Sequence, residues 1–400
     1  MKNEKSFVFR AVLSAGVLLL SLSLMVCRGR QAQTGPAVAG GPPAGLAVSE
    51  IPQFVCVSTD DNGFSGLPGS GSDGGLHYLT SLFAARRNPA GTGNPGSFDG
   101  VSPHYTFFVV SGYIASEAGA PPDTFYSGAD LPVFVKRAWR EAVDQGHEIG
   151  IHTHSHPHGR PLTEAQWDEE MRRAIDLLTR PWDPEESPEY PRPGSGLGLS
   201  RSTLAGFRSP YLEWSENGLA AAHKAGFAYD SSLEDGPALG PHRGQFAWPY
   251  LLDRHPGFWE MPIVDFVVPP DEACPRYGLP AGFRAALKER QSYFDPENGE
   301  ITGMDWNLWI EFSMTPVEFL ATLKYSLDLR LAGSRSPMPL GLHSELYTVK
   351  SGDAPATAAA IYSRRAALEE FLDYVLSKPE ARLVSHRELL DWIRRPVPLR

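Results

Sequence analysis

No part of the sequence gathers enough Lys and Arg to face a polyanion. With 36 basic against 47 acidic residues, the formal net charge is -11 and the pI about 5.6. Phosphate neutralisation needs clustered cations, so a broad nucleic-acid-binding face is excluded. The short basic pairs Arg172-Arg173 and Arg394-Arg395 read as solvated helix faces. Apolar runs are also short: AVLSAGVLLLSLSLMV over residues 11–26 has 16 residues, under the ~20 that a spanning helix usually needs. Cysteine is scarce, with Cys27, Cys56 and Cys274 the only three. The chain has no internal repeat.

What is present begins with a targeting pattern. Lys2, Lys5 and Arg10 precede the apolar run, which ends at Cys27, giving residues 1–27 the n-region and h-region of an export signal. Leu24-Met25-Val26-Cys27 resembles a bacterial lipoprotein box, with Val26 standing where a small residue is usual. Three fates follow: a lipid anchor at Cys27, cleavage to a soluble secreted form, or an uncleaved anchor. Each places the body outside the cytoplasm, periplasmic or at the cell surface, with membrane attachment through the N-terminus only. In such an oxidising compartment Cys56 and Cys274 are either a disulfide or two small buried thiols, and the sequence leaves both readings open.

Residues 28–50 are dominated by Gly, Pro and Ala and read as a flexible tether to a folded body over 51–400. From Ile51, short apolar runs alternate with longer amphipathic stretches. Strands are expected at 54–58, 105–110, 147–151, 257–268 and 339–343, with a strand-helix-strand unit over 205–232. Helices are expected at 76–86, 132–145, 163–179, 323–331, 355–376 and 387–393. Thr163 with Gln166 forms a capping box for the third. Residues 269–315 are poorly patterned and read as an insertion. The alternation predicts an α/β domain with a largely parallel sheet, open or barrel-like, whose chemistry would sit on loops at the C-terminal ends of strands.

Four polar clusters follow expected strands: Thr59-Asp60-Asp61-Asn62, His152-Thr153-His154-Ser155-His156, Arg208-Ser209-Pro210-Tyr211 and Leu342-His343. Adjacent carboxylates repel, so one takes a proton or a cation binds between them. Two imidazoles four residues apart can reach one ion, and with a carboxylate they form a site with open positions. His154 and His158 lie in the same run, so the residues alone leave the choice of imidazoles open. Asn62 tolerates the positive φ that a turn there would need.

In this order the clusters resemble the polysaccharide deacetylase superfamily, carbohydrate esterase family four, whose first motif is Thr-Phe-Asp-Asp-Gly. Ser58-Thr59 and Asn62 depart from that motif. His147-Glu148-Ile149-Gly150 is familiar from the same family, and Gly257-Phe258-Trp259-Glu260-Met261-Pro262 is similar to chitin-deacetylase-like members. The resemblance implies a deformed, incomplete (β/α) barrel of the seven-stranded type with long loop insertions. It implies Asp61, His152 and His156 as ligands of one divalent metal, zinc first, with cobalt, nickel or iron also suited. It further implies Asp60 as base, Arg208 as its partner, the Tyr211 N–H as an oxyanion donor and His343 as the general acid oriented by Asp230, with Asp265 and Asp305 competing for that last role. The substrate implied is an acetylated glycan of N-acetylglucosamine, as chitin oligomer or peptidoglycan, with the N- or O-linkage of the acetyl open. The other readings are a catalytically silent glycan-binding lipoprotein on the same fold and a metal amidohydrolase acting on a small amide.

Overall fold

Gln53–Asp60 forms a strand, β1, buried along its whole length in the computed structural model, as a run covered on both faces should be. The structure describes residues 41–115, 128–192 and 194–399. The expected export signal, the lipidation site at Cys27 and most of the tether lie outside the described residues. Over 41–50 the chain forms short 3-10 turns, at Pro43–Gly45 and Val48–Glu50, where a featureless tether was expected. Pro42 and Pro43 preset φ there, and the Leu399 N–H donates to the Glu50 carbonyl at 2.7 Å.

The other strands used below are β2 (Thr106–Val109), β3 (Glu148–Ile151), β4 (Gly206–Phe207), β5 (Tyr229–Asp230), β6 (Tyr250–Leu251), β7 (Trp259–Glu260), β8 (Met338–His343) and β9 (Ala381–Leu383). Seven run parallel in the order β8-β1-β2-β3-β4-β5-β7; antiparallel β6 follows β7, and β9 pairs with the start of β1. Among the described residues the end strands β8 and β6 do not pair with each other, so the sheet curls without closing into the incomplete barrel that was expected. Around it lie α1 (Gly75–Ala84), α2 (Pro132–Asp144), α3 (Glu164–Thr179), α4 (Glu216–Lys224), α5 (Phe283–Arg290), α6 (Pro316–Ala332), α7 (Pro355–Leu376) and α8 (His386–Arg394). Thr163 and Gln166 form their capping box, and Trp167, Met171, Ala174 and Leu178 on the buried face of α3 join the outer core.

The single strand expected over 257–268 is broken into three short pieces. Trp259–Glu260 stays in the main sheet, Ile263–Val264 pairs with Glu234–Asp235, and Phe266–Val267 pairs with Glu300–Ile301. Pro262 lacks an N–H and ends the first ladder. The segment 269–315 is folded: it carries a 3-10 turn at Cys274–Tyr277, helix α5 and a π-turn at Asn307–Glu311. Cys56 and Cys274 are both buried free thiols, not a bridge.

Side chains of β1 alternate between two cores. Val55 and Val57 face the outer core under the helices. Phe54 and Cys56 join an inner core with Phe108, Tyr229, Trp248 and Met261, sealed by Leu389, Leu390, Trp392 and Ile393 of α8. This helix sits at the N-terminal ends of the strands. The His386 N–H donates to Thr106 Oγ1 and the Arg387 N–H to Glu148 Oε2, each at 2.9 Å, and those acceptors open β2 and β3. The next two inner positions of β1 are Ser58 and Asp60. The interior therefore passes from apolar at the plugged end to charged at the C-terminal ends.

Candidate metal centre and active site

Each polar cluster begins where a parallel strand ends. Asp60 closes β1, His152 follows β3, Arg208 follows β4 and His343 closes β8. The register of β1 against β8 pairs Asp60 directly with His343, so the two residues sit side by side although 283 positions separate them in sequence.

Left-handed backbone concentrates here. Asp61 has φ 67° and Asn62 φ 67°, and the Asn62 N–H bonds back to the Asp60 carbonyl at 2.9 Å, a strained three-residue turn. The Asn62 amide holds that turn. Its Nδ2 donates to the carbonyls of Thr59 and Phe108, its Oδ1 accepts from Thr59 Oγ1, and Trp139 Nε1 donates to its carbonyl. Thr153 and His156 also have positive φ. Glu170 on α3 holds their loop by accepting from the N–H groups of His154 and Ser155 and from Ser155 Oγ. No sequence motif pointed to Glu170.

The loop and the turn bring Asp61, His152 and His156 together, all buried, with one ligand atom from each within 4.8 Å of the others. Asp61 Oδ1 lies 3.1 Å from His156 Nε2 and 3.7 Å from His152 Nε2. It is buried, and among the described residues no group other than these imidazoles is placed to donate to it, a costly state for a carboxylate oxygen unless a cation meets it. Tetrahedral zinc ligands at about 2.1 Å stand about 3.4 Å apart, close to these spacings. His152 Nδ1 is 2.8 Å from the Arg208 carbonyl, so Nδ1 carries the proton and the Nε2 lone pair faces the site. The donor set fits a divalent cation. Burial would raise the Asp61 carboxyl, but His156, His152 and His343 outweigh it and hold it below the ordinary range. Burial first, against the pull of Asp60 and with a push from His156, lowers His152 to about 4, so its imidazole is neutral and able to ligate.

Arg208 is fully buried beside them. It donates to Asp60 Oδ1 at 2.7 Å, Ser58 Oγ at 2.9 Å, the Ser231 carbonyl at 2.8 Å and Ser231 Oγ at 2.9 Å, and stacks over Phe108 at 4.1 Å. Asp60 Oδ2 is left facing His152 Nε2 at 4.0 Å.

The carboxylate at His343 is Asp305, not Asp230. Asp305 accepts from the His343 backbone N–H at 3.1 Å and lies 2.8 Å from His343 Nδ1. Burial pushes the imidazole down, yet the hydrogen bond and charge of Asp305, then Asp61 and Asp60, raise it to about 10. Burial also pushes Asp305 above the usual carboxylate range; two bonds from one residue favour the ion pair with the proton on His343. Asp230 instead accepts from Ser232 N and Oγ and shares a hydrogen bond with Glu260; burial raises it to about 6. Ser232 Oγ in turn accepts from the Ser209 N–H at 2.8 Å, so Asp230 braces the loop after Arg208. Asp265 is buried elsewhere, its backbone carbonyl bonded to Arg330. Tyr211, at φ 57°, lays its ring against His156 at 4.6 Å and stacks on His158 at 4.3 Å. His154 Nδ1 lies 2.9 Å from Ser111 Oγ, and His154 is not in the ligand group.

Residues 102–229 match the polysaccharide deacetylase family. No curated protein sequence matches the chain. Among solved structures, a Mycobacterium smegmatis protein assigned as a polysaccharide deacetylase shares the fold, with 17% identity, TM-score 0.51 and 90% of this chain covering 95% of that one. A Pseudomonas aeruginosa PAO1 protein with the same assignment aligns at 16% identity and TM-score 0.46, covering 86% and 92% of the two chains. A family 4 carbohydrate esterase from Streptomyces lividans, solved with acetate, aligns at 14% identity and TM-score 0.34, covering 83% and 97%.

Proposed function

From a chain that carries a polysaccharide deacetylase domain over residues 102–229, we propose a metal-dependent hydrolase that removes N-acetyl groups from N-acetylglucosamine-containing glycan outside the cytoplasm. The observation that carries this reading is the meeting, at one rim, of a carboxylate with two imidazoles, an Arg-held carboxylate and an imidazole hydrogen-bonded to Asp305. Asp61, His152 and His156 would hold a divalent cation, zinc first among candidates, and when bound it would supply Lewis-acid chemistry for a carbonyl and for water. Asp60, kept oriented by Arg208, takes the proton from the attacking water. His343 donates its proton to the departing amine, releasing acetate and leaving a free amino sugar. The Tyr211 backbone N–H is assigned to the oxyanion.

The direct test is acetate release from a panel of N-acetylglucosamine oligomers by metal-loaded and by chelated protein. Release that requires the metal supports the reading. Release unaffected by chelation, or release from a small amide but from no oligomer, rejects it.

A second result concerns the acid. His343 must be protonated to donate, and against the pull of burial the hydrogen bond and charge of Asp305 do most to hold that proton on. Asp305→Asn keeps an acceptor at Nδ1 but removes the charge, so the His343 pKa should fall toward the ordinary value of ~6.5. The alkaline limb of kcat/KM against pH should then move to lower pH. An unmoved limb would remove His343 from the acid role.

A further inference from the structure

Beside the proposed reaction centre lies a polar pocket that none of the roles above uses. It is a cavity of about 250 Å³ whose polar lining is Ser70, Ser72, Asp130, Lys350 and Ser351, with Phe64, Ala129 and Leu131 supplying apolar wall beside Gly71 and Gly128. Drug-sized pockets run from about 300 to 1,000 Å³, so this one suits a single sugar-sized group.

The pocket is prebuilt. Val349–Lys350 pairs antiparallel with Ser72–Asp73 in the register Lys350 to Ser72, and the Ser351 N–H donates to the Gly71 carbonyl at 2.8 Å. Asp130 Oδ2 accepts from Ser65 N at 2.7 Å, Ser65 Oγ at 2.5 Å and Ser72 Oγ at 2.7 Å. Those three neutral donors hold the one carboxylate in the wall, and Lys350 is the one cation among the described lining residues. Among the described residues Lys350 makes no ion pair within 4.0 Å; its ammonium stands over the Phe64 ring at 4.1 Å. In a chain of net charge -11, an ammonium held over a ring among serine hydroxyls is a local anion receptor.

The pocket is close to the metal ligands. Phe64 comes three residues after Asp61, so their Cα atoms are at most about 11 Å apart. Glu345, two residues after His343, is within electrostatic reach of both Asp61 and Lys350. The segments that leave Asp61 and His343 thus both reach the cavity wall, through Phe64 and Lys350.

We propose that this pocket is a subsite for a sugar ring bearing a carboxylate, with Lys350 binding the carboxylate and serine Oγ atoms accepting from the ring hydroxyls. The inference rests on the deacetylase reading and narrows it, favouring an anionic glycan over neutral chitin. Two carboxylate sources share this chemistry, a lactyl ether on the ring and a uronic acid.

The test uses the full metal-loaded chain and two tetrasaccharides, one alternating N-acetylglucosamine with N-acetylmuramic acid and one alternating N-acetylglucosamine with glucuronic acid, each as free acid and as methyl ester. For at least one pair the free acid should be favoured about tenfold or more in kcat/KM, the scale of one charge-assisted hydrogen bond. Whichever pair shows the preference identifies the source. Lys350→Met should reduce that ratio to near one, and Lys350→Arg should keep it. No preference in either pair, or a preference that survives Lys350→Met, overturns the subsite. Binding of the same ligands to Asp60→Asn, followed by calorimetry, separates the two readings. A carboxylate preference there without acetate release by the parent protein leaves the subsite standing and removes the deacetylase. Acetate release with no carboxylate preference does the reverse.

Discussion

Asp60→Asn should lower kcat for acetate release by about 10²–10⁴-fold with little change in KM, the range that general-base removal produces. The expectation follows from how the two oxygens of Asp60 are used. Oδ1 is fixed by Arg208 at 2.7 Å, while Oδ2 faces His152 Nε2 at 4.0 Å. An amide still offers an acceptor to the guanidinium, so the side chain should keep its place. It cannot accept a proton from water. Rates are compared on folded protein, with Tm and bound metal measured alongside. A kcat within threefold of the parent, with metal retained, would show that the base lies elsewhere.

Arg208→Met should cost both stability and rate. Arg208 is fully buried and satisfies Ser58, Asp60 and Ser231 at once. Removing it leaves Asp60 as a buried charge without its guanidinium, and breaking a buried pair typically costs about 3–5 kcal/mol. The urea midpoint should fall accordingly. On whatever folds, kcat should drop further than unfolding explains, because nothing then keeps Asp60 aimed. Arg208→Lys should rescue poorly, since a single ammonium cannot span partners on two strands. If Arg208→Lys behaves like the parent in both measurements, the fork geometry is unimportant and the account of Asp60 fails with it.

These two residues were readable because their signals are local. Asp-Asp, His-x-x-x-His, Arg-x-Pro-Tyr and Leu-His each sit at the end of an apolar run, and a parallel sheet gathers its strand ends at one rim. Asp305 was not readable in the same way. It lies in the segment without periodicity, and it reaches His343 because Met304 forms a parallel bridge with Gly341, a contact no spacing encodes. Asp230 misled for the complementary reason: the resemblance implied an orienting Asp at that place, but its carboxylate is engaged by Ser232 and Glu260. Glu170 gives no signal because a helical Glu looks like any solvated one. The 257–268 run read as one strand because apolar character continues through Pro262, whereas ladder pairing does not.

The plug formed by α8 has a consequence for synthesis. Its Trp392 packs edge-on against Phe54 at 4.8 Å, so residues near the two ends of the described chain close one another's apolar surface. A ribosome adding about 5–20 residues each second delivers that stopper after every strand of the sheet. Until then Phe54, Phe108 and Met261 have no lid, and the nascent polypeptide stays sticky and unfinished.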